Sequence, residues 1–208
     1  MNLYMGRPIL IGMPLASDYK ADLRVMVTVE RWGRDEDKES FYAPSISPVL
    51  GRDKIVQYAK YRVPTPSHIL FIDSDILPRR NTLDRLLGLK KDIVTGVYPM
   101  TAKNNVTWNV SREDNFEPVK IGELPDNPFK IKSCGFGIIL IKFDVFEKLE
   151  WPYWKNIFKP DRIEKSEDIY FCEKVRRAGF DIWCDPKVKC NHIRITNLLS
   201  IINNLKKE

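Results

Sequence analysis

The sequence predicts an α/β protein whose central sheet is largely parallel, and two observations support this prediction. The first is an apolar run at residues 69–72 (ILFI) that leads directly into Asp73 and Asp75. A continuous apolar run is typical of a strand buried on both faces of a parallel sheet, and ligands bind at the carboxyl ends of such strands. The second is that short apolar runs alternate with segments of helical spacing along the chain.

The two acids after this run are candidates for a cation site. Asp73 and Asp75 are two residues apart, so in an extended chain both side chains leave the same face and could share one cation. Adjacent carboxylates repel each other and therefore favour a proton or a metal ion. The alternative is that they are solvated turn residues at the end of a strand, which is how most such acids are used.

Length and composition indicate one ordinary globular domain. The 208 residues are 43% hydrophobic, and the chain has no biased tract. The net charge is +6, but Lys and Arg are scattered in pairs, a pattern that suits an anionic ligand or surface without implying nucleic acid. We therefore expect no nucleic-acid partner.

The four cysteines indicate a reducing compartment. They show no C-x-x-C spacing, which disfavours structural zinc, and free thiols are the simplest interpretation. No apolar run approaches the length needed to cross a bilayer. We expect a cytoplasmic protein without a transmembrane segment.

The part of the chain before the central strand is predicted to alternate strands and helices. Asp18 is expected to cap a helix, although residues 24–29 are rich enough in Val and Thr to form a strand. Ser47 and Pro48 predict another helix start, since an N-cap hydroxyl followed by proline favours one. Strands are predicted at residues 8–13 and 41–43, and a polar surface loop at residues 33–40.

The part after the central strand is predicted to continue in the same way. Asn81, Asp144 paired with Glu147, and Ser166 are expected to cap short helices. Residues 135–137 (GFG) let the backbone approach a ligand or a crossing strand, or they form a β-bulge without any ligand. Further strands are predicted at residues 93–98, 106–110, 118–121, 131–141 and 180–184, with a turn at residues 185–186 and an amphipathic helix at about 195–207.

Aromatic residues follow the short helix that is predicted after residues 131–141. Trp151, Tyr153 and Trp154 offer faces that stack well on sugar rings, but packing against the core explains them equally well. The acids of Glu167 and Asp168 are likewise explained by helix capping when taken alone.

Five segments and one histidine, taken in order, resemble glycosyltransferases of the GT-A fold, and especially the inverting family-2-like members. They are residues 69–75 (ILFIDSD), 92–99 (DIVTGVYP), 134–141 (CGFGIILI), 166–172 (SEDIYFC) and 177–180 (RAGF), followed by His192. The resemblance covers roughly residues 45 to 195. It implies a single GT-A domain over residues 1–208, a Rossmann-like three-layer sandwich with a mostly parallel central sheet.

The resemblance also implies roles for particular residues. Asp168 matches the catalytic base, although a helix start should keep its pKa low unless burial or the acceptor raises it. Asp73 would bind the nucleoside ribose and, with Asp75 and His192, a metal ion, either Mn²⁺ or Mg²⁺. The remaining donor-site residues are Arg52 at the diphosphate, Pro14 along the nucleoside, Glu167 on the acceptor side, and Tyr98 and Gly135.

These roles predict a metal-dependent glycosyltransferase that moves a sugar from a nucleoside diphosphate to an acceptor hydroxyl with inversion. A UDP-sugar is favoured over a GDP-sugar, and the acceptor would be a glycan, a lipid-linked sugar or a protein. The alternatives are a sugar nucleotidyltransferase, disfavoured by the single Gly12 after the first strand, and an inactive binding module. The C-terminal helix is expected to dock on its own domain, or else to form a dimer contact or touch a membrane surface.

Overall fold

The computed structural model describes residues 6–16, 20–35, 37–102, 105–114 and 117–194. The helices are α1 (Leu23–Trp32), α2 (Pro48–Tyr61), α3 (Thr82–Gly88), α4 (Phe143–Glu147) and α5 (Glu167–Arg177). The strands are β1 (Ile9–Leu15), β2 (Lys38–Pro44), β3 (His68–Ile72), β4 (Ile76–Leu77), β5 (Ile93–Val97), β6 (Pro99–Ala102), β7 (Asn105–Arg112), β8 (Pro118–Lys120), β9 (Phe129–Cys134), β10 (Ile138–Lys142), β11 (Ile157–Lys159), β12 (Arg162–Lys165), β13 (Ile182–Lys189) and β14 (Asn191–His192).

A ten-stranded mixed sheet forms the centre of the fold. Its order is β2-β1-β3-β10-β5-β13-β9-β7-β6, and β8 pairs with β7. Strands β1, β2 and β3 are parallel, as are β5 and β13, while β10 lies antiparallel between β3 and β5. The predicted α/β class is confirmed, and the sheet is mixed because β10 and the strands from β6 to β9 pair antiparallel with their neighbours.

Side chains of the central strand alternate between two hydrophobic cores, which produces the three layers. Ile69 and Phe71 of β3 pack in one core with residues of α2, α4 and α5. Leu70 and Ile72 point into the other core with residues of α1 and α3. All four are fully buried. Because strand side chains alternate between faces, an uninterrupted apolar run is needed for a strand covered by helices on both sides.

Two elements near the N-terminus begin at residues other than those the sequence predicts. Helix α1 is capped by Asp22, whose side chain accepts a hydrogen bond from Arg24 N at 2.9 Å; the expected cap, Asp18, lies outside the described residues. The stretch predicted as a loop at residues 33–40 is a strand from Lys38 onward, because pairing with β1 uses only the backbone and tolerates polar side chains.

Ser47, Asn81 and Ser166 occupy the N-cap positions predicted for them, whereas Asp144 does not. Ser47 accepts a hydrogen bond from Leu50 N at 3.3 Å, as expected. Asn81 and Ser166 occupy N-cap positions without a side-chain cap hydrogen bond among the described residues. The proposed Asp144 cap is wrong, since α4 already begins at Phe143 after Lys142.

The end of the described chain differs from the expected turn. Strand β13 continues through residues 185–186, with a register shift between Cys184 and Lys189, because a β-bulge absorbs Pro186 without ending the strand. The four cysteines are free and buried. The amphipathic helix expected at about 195–207 lies outside the described residues. In the part that is described, no helix combines the length and apolar character needed to span a bilayer.

Candidate active site

A cleft at the carboxyl ends of β1 and β3 brings the first predicted acids together. Asp73 N donates a hydrogen bond to the Gly137 carbonyl at 3.0 Å, and the Asp75 carbonyl accepts one from Ile193 N at 2.8 Å. These backbone hydrogen bonds hold residues 73–75 in place between the turn before β10 and the residues that follow β14. The cleft has a volume of about 260 Å³ and is lined by Pro14, Leu15, Ala16, Ser45, Ile46, Ser47, Pro48, Asp73, Ser74 and Asp75.

Arg52 of α2 connects this segment to the second pair of acids. Its side chain is 3% exposed, and Nη1 lies 3.1 Å from Glu167 Oε1 and 2.9 Å from Asp168 Oδ1. Nη2 lies 3.6 Å from Asp73 Oδ1, and the guanidinium stands over the Phe136 ring at 4.9 Å from its centroid. Burial alone would lower the pKa of Arg52, but the three carboxylates outweigh burial and raise it. One buried cation is thus shared by three acids.

Asp168 has the electrostatics of a general base. Its Oδ2 accepts a hydrogen bond from Phe136 N at 3.3 Å, while Oδ1 faces Arg52. Burial, which exceeds the opposing effect of Arg52, together with Glu167 and Asp73, raises the pKa of Asp168 to about 6. Of the two outcomes that the sequence left open, the pKa is raised by burial, because loss of hydration and neighbouring negative charge outweigh the helix start at this position.

The pKa of Asp73 is raised for the same reason. Burial raises the pKa of its carboxyl although Arg52 acts to lower it, and Asp75 and Glu167 raise it further. The site therefore carries more negative charge than Arg52 neutralises. A proton or an additional cation stabilises such a group of carboxylates.

His192 is held against Asp75 by a backbone carbonyl. Its Nδ1 lies 2.9 Å from the Pro99 oxygen, and its Nε2 lies 3.3 Å from Asp75 Oδ2. Since a carbonyl only accepts, the proton of the neutral ring is on Nδ1, and the bare Nε2 faces a carboxylate oxygen. Two acceptors are compatible at this distance when a proton or a cation is shared between them.

Tyr98 and Gly135 serve as packing partners around the segment. Tyr98 is 4% exposed, and its hydroxyl accepts a hydrogen bond from Gly137 N at 3.0 Å. A Cβ atom on Gly135 would lie 2.4 Å from that hydroxyl, and one on Gly137 would lie 2.6 Å from the ring. Gly135 and Gly137 therefore leave the space that the Tyr98 side chain occupies as it crosses this turn. The Tyr98 ring also meets His192 edge to face, with centroids 5.5 Å apart.

Two contributors to the site were missed by sequence reasoning. Asn156 Oδ1 accepts a hydrogen bond from Glu167 N at 2.9 Å, and so satisfies the start of α5 in place of Ser166. Phe136 supplies both the N–H to Asp168 and the ring beneath Arg52. Asn156 gives no signal in the sequence, because it lies eleven positions from the helix start it caps. Phe136 lies within a segment that the family resemblance had already singled out.

The predicted metal ligands supply only part of a coordination shell. No set of three His, Cys, Asp or Glu side chains there is arranged to hold a metal ion. The paired Asp75 and His192 offer one oxygen and one nitrogen donor, which suit Mn²⁺ or Mg²⁺ when other oxygen ligands complete the shell.

Comparison with known proteins identifies the fold. No family model and no curated protein matches the sequence. The structure is similar to A197 from STIV, with a TM-score of 0.65 and 16% identity over 90% of this chain and 86% of that one. It is also similar to GalNAc-T7 with UDP, GalNAc and Mn²⁺ (TM-score 0.56, 11% identity, 90% of this chain and 44% of that one). The catalytic domain of Drosophila beta1,4galactosyltransferase 7 in complex with xylobiose gives a TM-score of 0.52 at 13% identity, over 91% of this chain and 71% of that one.

The chain therefore has a GT-A-like glycosyltransferase fold, as its sequence predicts. At these identities the likeness is one of fold, and the activity has to be argued from the site.

Proposed function

We propose that the protein is a metal-dependent glycosyltransferase that moves a sugar from a nucleoside-diphosphate sugar to an acceptor hydroxyl, with inversion at the anomeric carbon. The main support is the sharing of one buried Arg52 by Asp73, Glu167 and Asp168 beside a cleft at the carboxyl ends of parallel strands. This is the place where α/β sheets bind nucleotides.

Asp168 is the proposed base. In the transfer, the acceptor oxygen bonds to the anomeric carbon as the bond to the diphosphate oxygen breaks, and the acceptor proton passes to the Asp168 carboxylate. A base with a pKa of about 6 is matched to this task near neutral pH, because it is ionised and still basic enough to accept a proton. Glu167 is proposed to lie on the acceptor side of it.

Asp75 and His192, with Asp73 behind them, would hold Mn²⁺ or Mg²⁺. When bound, such an ion supplies Lewis-acid stabilisation of the charge that develops on the departing diphosphate. The chain itself provides the orientation, since the Pro99 carbonyl fixes the His192 ring so that Nε2 faces Asp75. Hydrogen bonding of the second ring nitrogen is the usual way in which a metal-binding histidine is oriented.

The donor would lie in the cleft of about 260 Å³ beside Pro14 and Asp73. Arg52 would face the donor diphosphate, with Tyr98 and Gly135 shaping the wall behind it. A UDP-sugar is the first choice, consistent with UDP and Mn²⁺ in the solved GalNAc-T7 structure, and a GDP-sugar is the second. The acceptor is proposed to be a glycan, a lipid-linked sugar or a protein.

A thermal-unfolding panel tests donor and metal binding together. UDP, GDP and their sugars are added with and without Mn²⁺, and a ligand at 100 times its dissociation constant should raise the free energy of unfolding by about 2.7 kcal/mol. We expect the largest stabilisation to need both nucleotide and Mn²⁺, and Asp75→Asn to remove the part that depends on Mn²⁺.

The control is Asp92→Asn, which changes an acid paired with Lys142 away from the cleft and should leave the ligand response intact. Absence of stabilisation by every nucleoside diphosphate would exclude the proposal. Stabilisation without sugar transfer to any acceptor class would instead identify an inactive binding module of the same fold.

A further inference from the structure

A second cleft lies beside the donor cleft, on the outer side of α2. It has a volume of about 530 Å³ and is lined by Pro44, Ser45, Ile46, Leu50, Asp53, Lys54, Gln57 and Trp151. Ser45 and Ile46 also line the donor cleft, so the two are separated only by this short segment. The volume falls within the range of small-molecule sites, about 300–1,000 Å³.

Trp151 is the exposed member of its aromatic cluster. Tyr153 and Trp154 are 4% and 1% exposed, and Trp154 stacks on Phe171 in the core. Trp151 is 70% exposed at the edge of the second cleft. Core packing therefore explains Tyr153 and Trp154, and it leaves the large apolar surface of Trp151 without a partner.

Asp53, which lines the same cleft, carries a buried carboxylate oxygen that is unsatisfied among the described residues. The residue is 9% exposed, and its Oδ1 has no hydrogen-bond partner among the described residues. Burial raises the pKa of Asp53, although a hydrogen bond from the Trp151 side chain lowers it in part. A buried polar atom without a partner costs free energy, so a ligand in the cleft toward which the Asp53 carboxylate can turn to accept a hydrogen bond is favoured.

The chemistry of the cleft selects among ligand classes. A divalent cation is disfavoured, because one carboxylate is a poor oxygen shell and the cation of Lys54 lies nearby, bound to the Pro44 carbonyl at 2.6 Å. A purely apolar ligand would leave Asp53 Oδ1 unsatisfied. A pyranose ring has one apolar C–H face for an aromatic ring and hydroxyl groups that donate to a carboxylate.

We propose that the cleft formed by α2 and Trp151 is a saccharide-binding site, in which the sugar packs on the indole and one hydroxyl donates to Asp53. The proposal extends the glycosyltransferase assignment by making the acceptor, or the sugar unit next to the reacting one, a carbohydrate. Gln57 offers a further polar contact along the same wall.

Saturation-transfer NMR with lactose, maltose and chitobiose as probes tests this site on the full chain. We expect wild-type protein to transfer magnetisation to at least one of them, and Trp151→Ala to weaken that binding at least about tenfold, the factor that corresponds to about 1.4 kcal/mol. Asp53→Asn should also weaken binding. The matched control is Tyr61→Ala, an aromatic residue 87% exposed at the far end of α2, which should bind the disaccharide as wild type does.

The outcomes separate this proposal from the assigned activity. Binding of UDP with Mn²⁺ should be equal in wild type and Trp151→Ala, because Trp151 is outside the donor cleft. Normal nucleotide binding with no saturation transfer to any disaccharide, or equal transfer in Trp151→Ala, would overturn the saccharide site alone. Trp151-dependent disaccharide binding without any nucleotide response would overturn the glycosyltransferase proposal and leave the saccharide site standing.

Discussion

The two edges of the central sheet differ in how their charges are balanced. At the amino ends of β1 and β3 lies a cleft of about 1,020 Å³, and four of the cations that line it are paired with their own acids. The pairs are Arg7 with Asp144, Lys38 with Asp35 and Asp37, Arg62 with Glu39, and Lys142 with Asp92. At the carboxyl ends, beside a smaller cleft, Arg52 faces three acids and His192 faces Asp75.

On the proposed function, charge imbalance indicates the reactive edge better than cavity size does. Acids that already have their own cation gain little from a ligand. Acids that share one cation have raised pKa values and become more stable when a proton or a metal ion arrives, as the pKa values of Asp73 and Asp168 show.

Removing the proposed base, Asp168, should have the largest effect, which is on turnover. Asp168→Asn keeps the size of the side chain but cannot accept the acceptor proton, so turnover should fall by roughly 10² to 10⁴. Binding of nucleotide with Mn²⁺ should survive. Turnover and nucleotide binding are measured on the same preparation.

The matched change at the opposite edge is Asp144→Asn, which removes the partner of Arg7 at 3.6 Å. It should leave turnover unchanged. If Asp168→Asn turns over at the wild-type rate, Asp168 is not the base, and if both variants lose activity equally, the contrast between the edges is unsupported.

Removing the shared cation should cost more stability than removing an individually paired one. Arg52→Met leaves three carboxylates without their cation, and breaking such a buried arrangement costs about 3–5 kcal/mol. Arg62→Met breaks a more exposed pair with Glu39, worth at most about 1 kcal/mol. Urea unfolding of both variants measures the difference.

The loss of stability in Arg52→Met should also shrink as the pH is lowered toward 5, because Asp168, whose pKa is raised to about 6, then takes up a proton and no longer needs the arginine. If both variants lose the same free energy of unfolding, or if the loss in Arg52→Met does not change with pH, the proposed sharing of Arg52 by three acids is contradicted.

The sequence predicted those parts of the fold and site that depend on local pattern. The run at residues 69–72 predicted a strand buried on both faces, and Ser47 with Pro48 predicted the start of α2, because strand burial and N-capping are determined by neighbouring residues. The convergence of Arg52 with Asp73, Glu167 and Asp168 was implied by family resemblance alone. Periodicity contains no information about contacts between positions more than a hundred residues apart.

The remaining features depend on tertiary contacts that no local pattern encodes. Asn156 caps α5 from another segment, and β2 includes polar residues 38–40 because β1 lies beside them. The pKa of Asp168 was expected to be low from its helix position unless burial or the acceptor raised it, and it is raised because burial and two neighbouring acids outweigh that local effect. The pKa values of these acids therefore depend on the folded site and not on the local sequence.

The smallest predicted effect is on the pH dependence of stability. A group at the carboxyl edge of the sheet and a group at the amino edge should change the free energy of unfolding in opposite directions as the pH rises. The folded-state pKa of Asp168 is raised from 3.8 to about 6, so the folded protein holds an extra proton in that window and stability falls as the pH rises through it. Burial first, and Lys142 second, lower the pKa of His68 at the amino edge from 6.5 to about 4. The unfolded chain then holds the extra proton, and stability rises with pH.

Turnover should follow Asp168 alone. Below pH 6 the rate should fall about tenfold per unit, because the fraction of ionised base falls by that factor, and above it the rate should level off. His68→Gln should leave this rate profile unchanged and remove the rising component, so that stability decreases more steeply between pH 4 and 6. A shifted rate profile in His68→Gln would mean that the amino edge takes part in the chemistry, and an unchanged stability profile would mean that His68 does not titrate differently on folding.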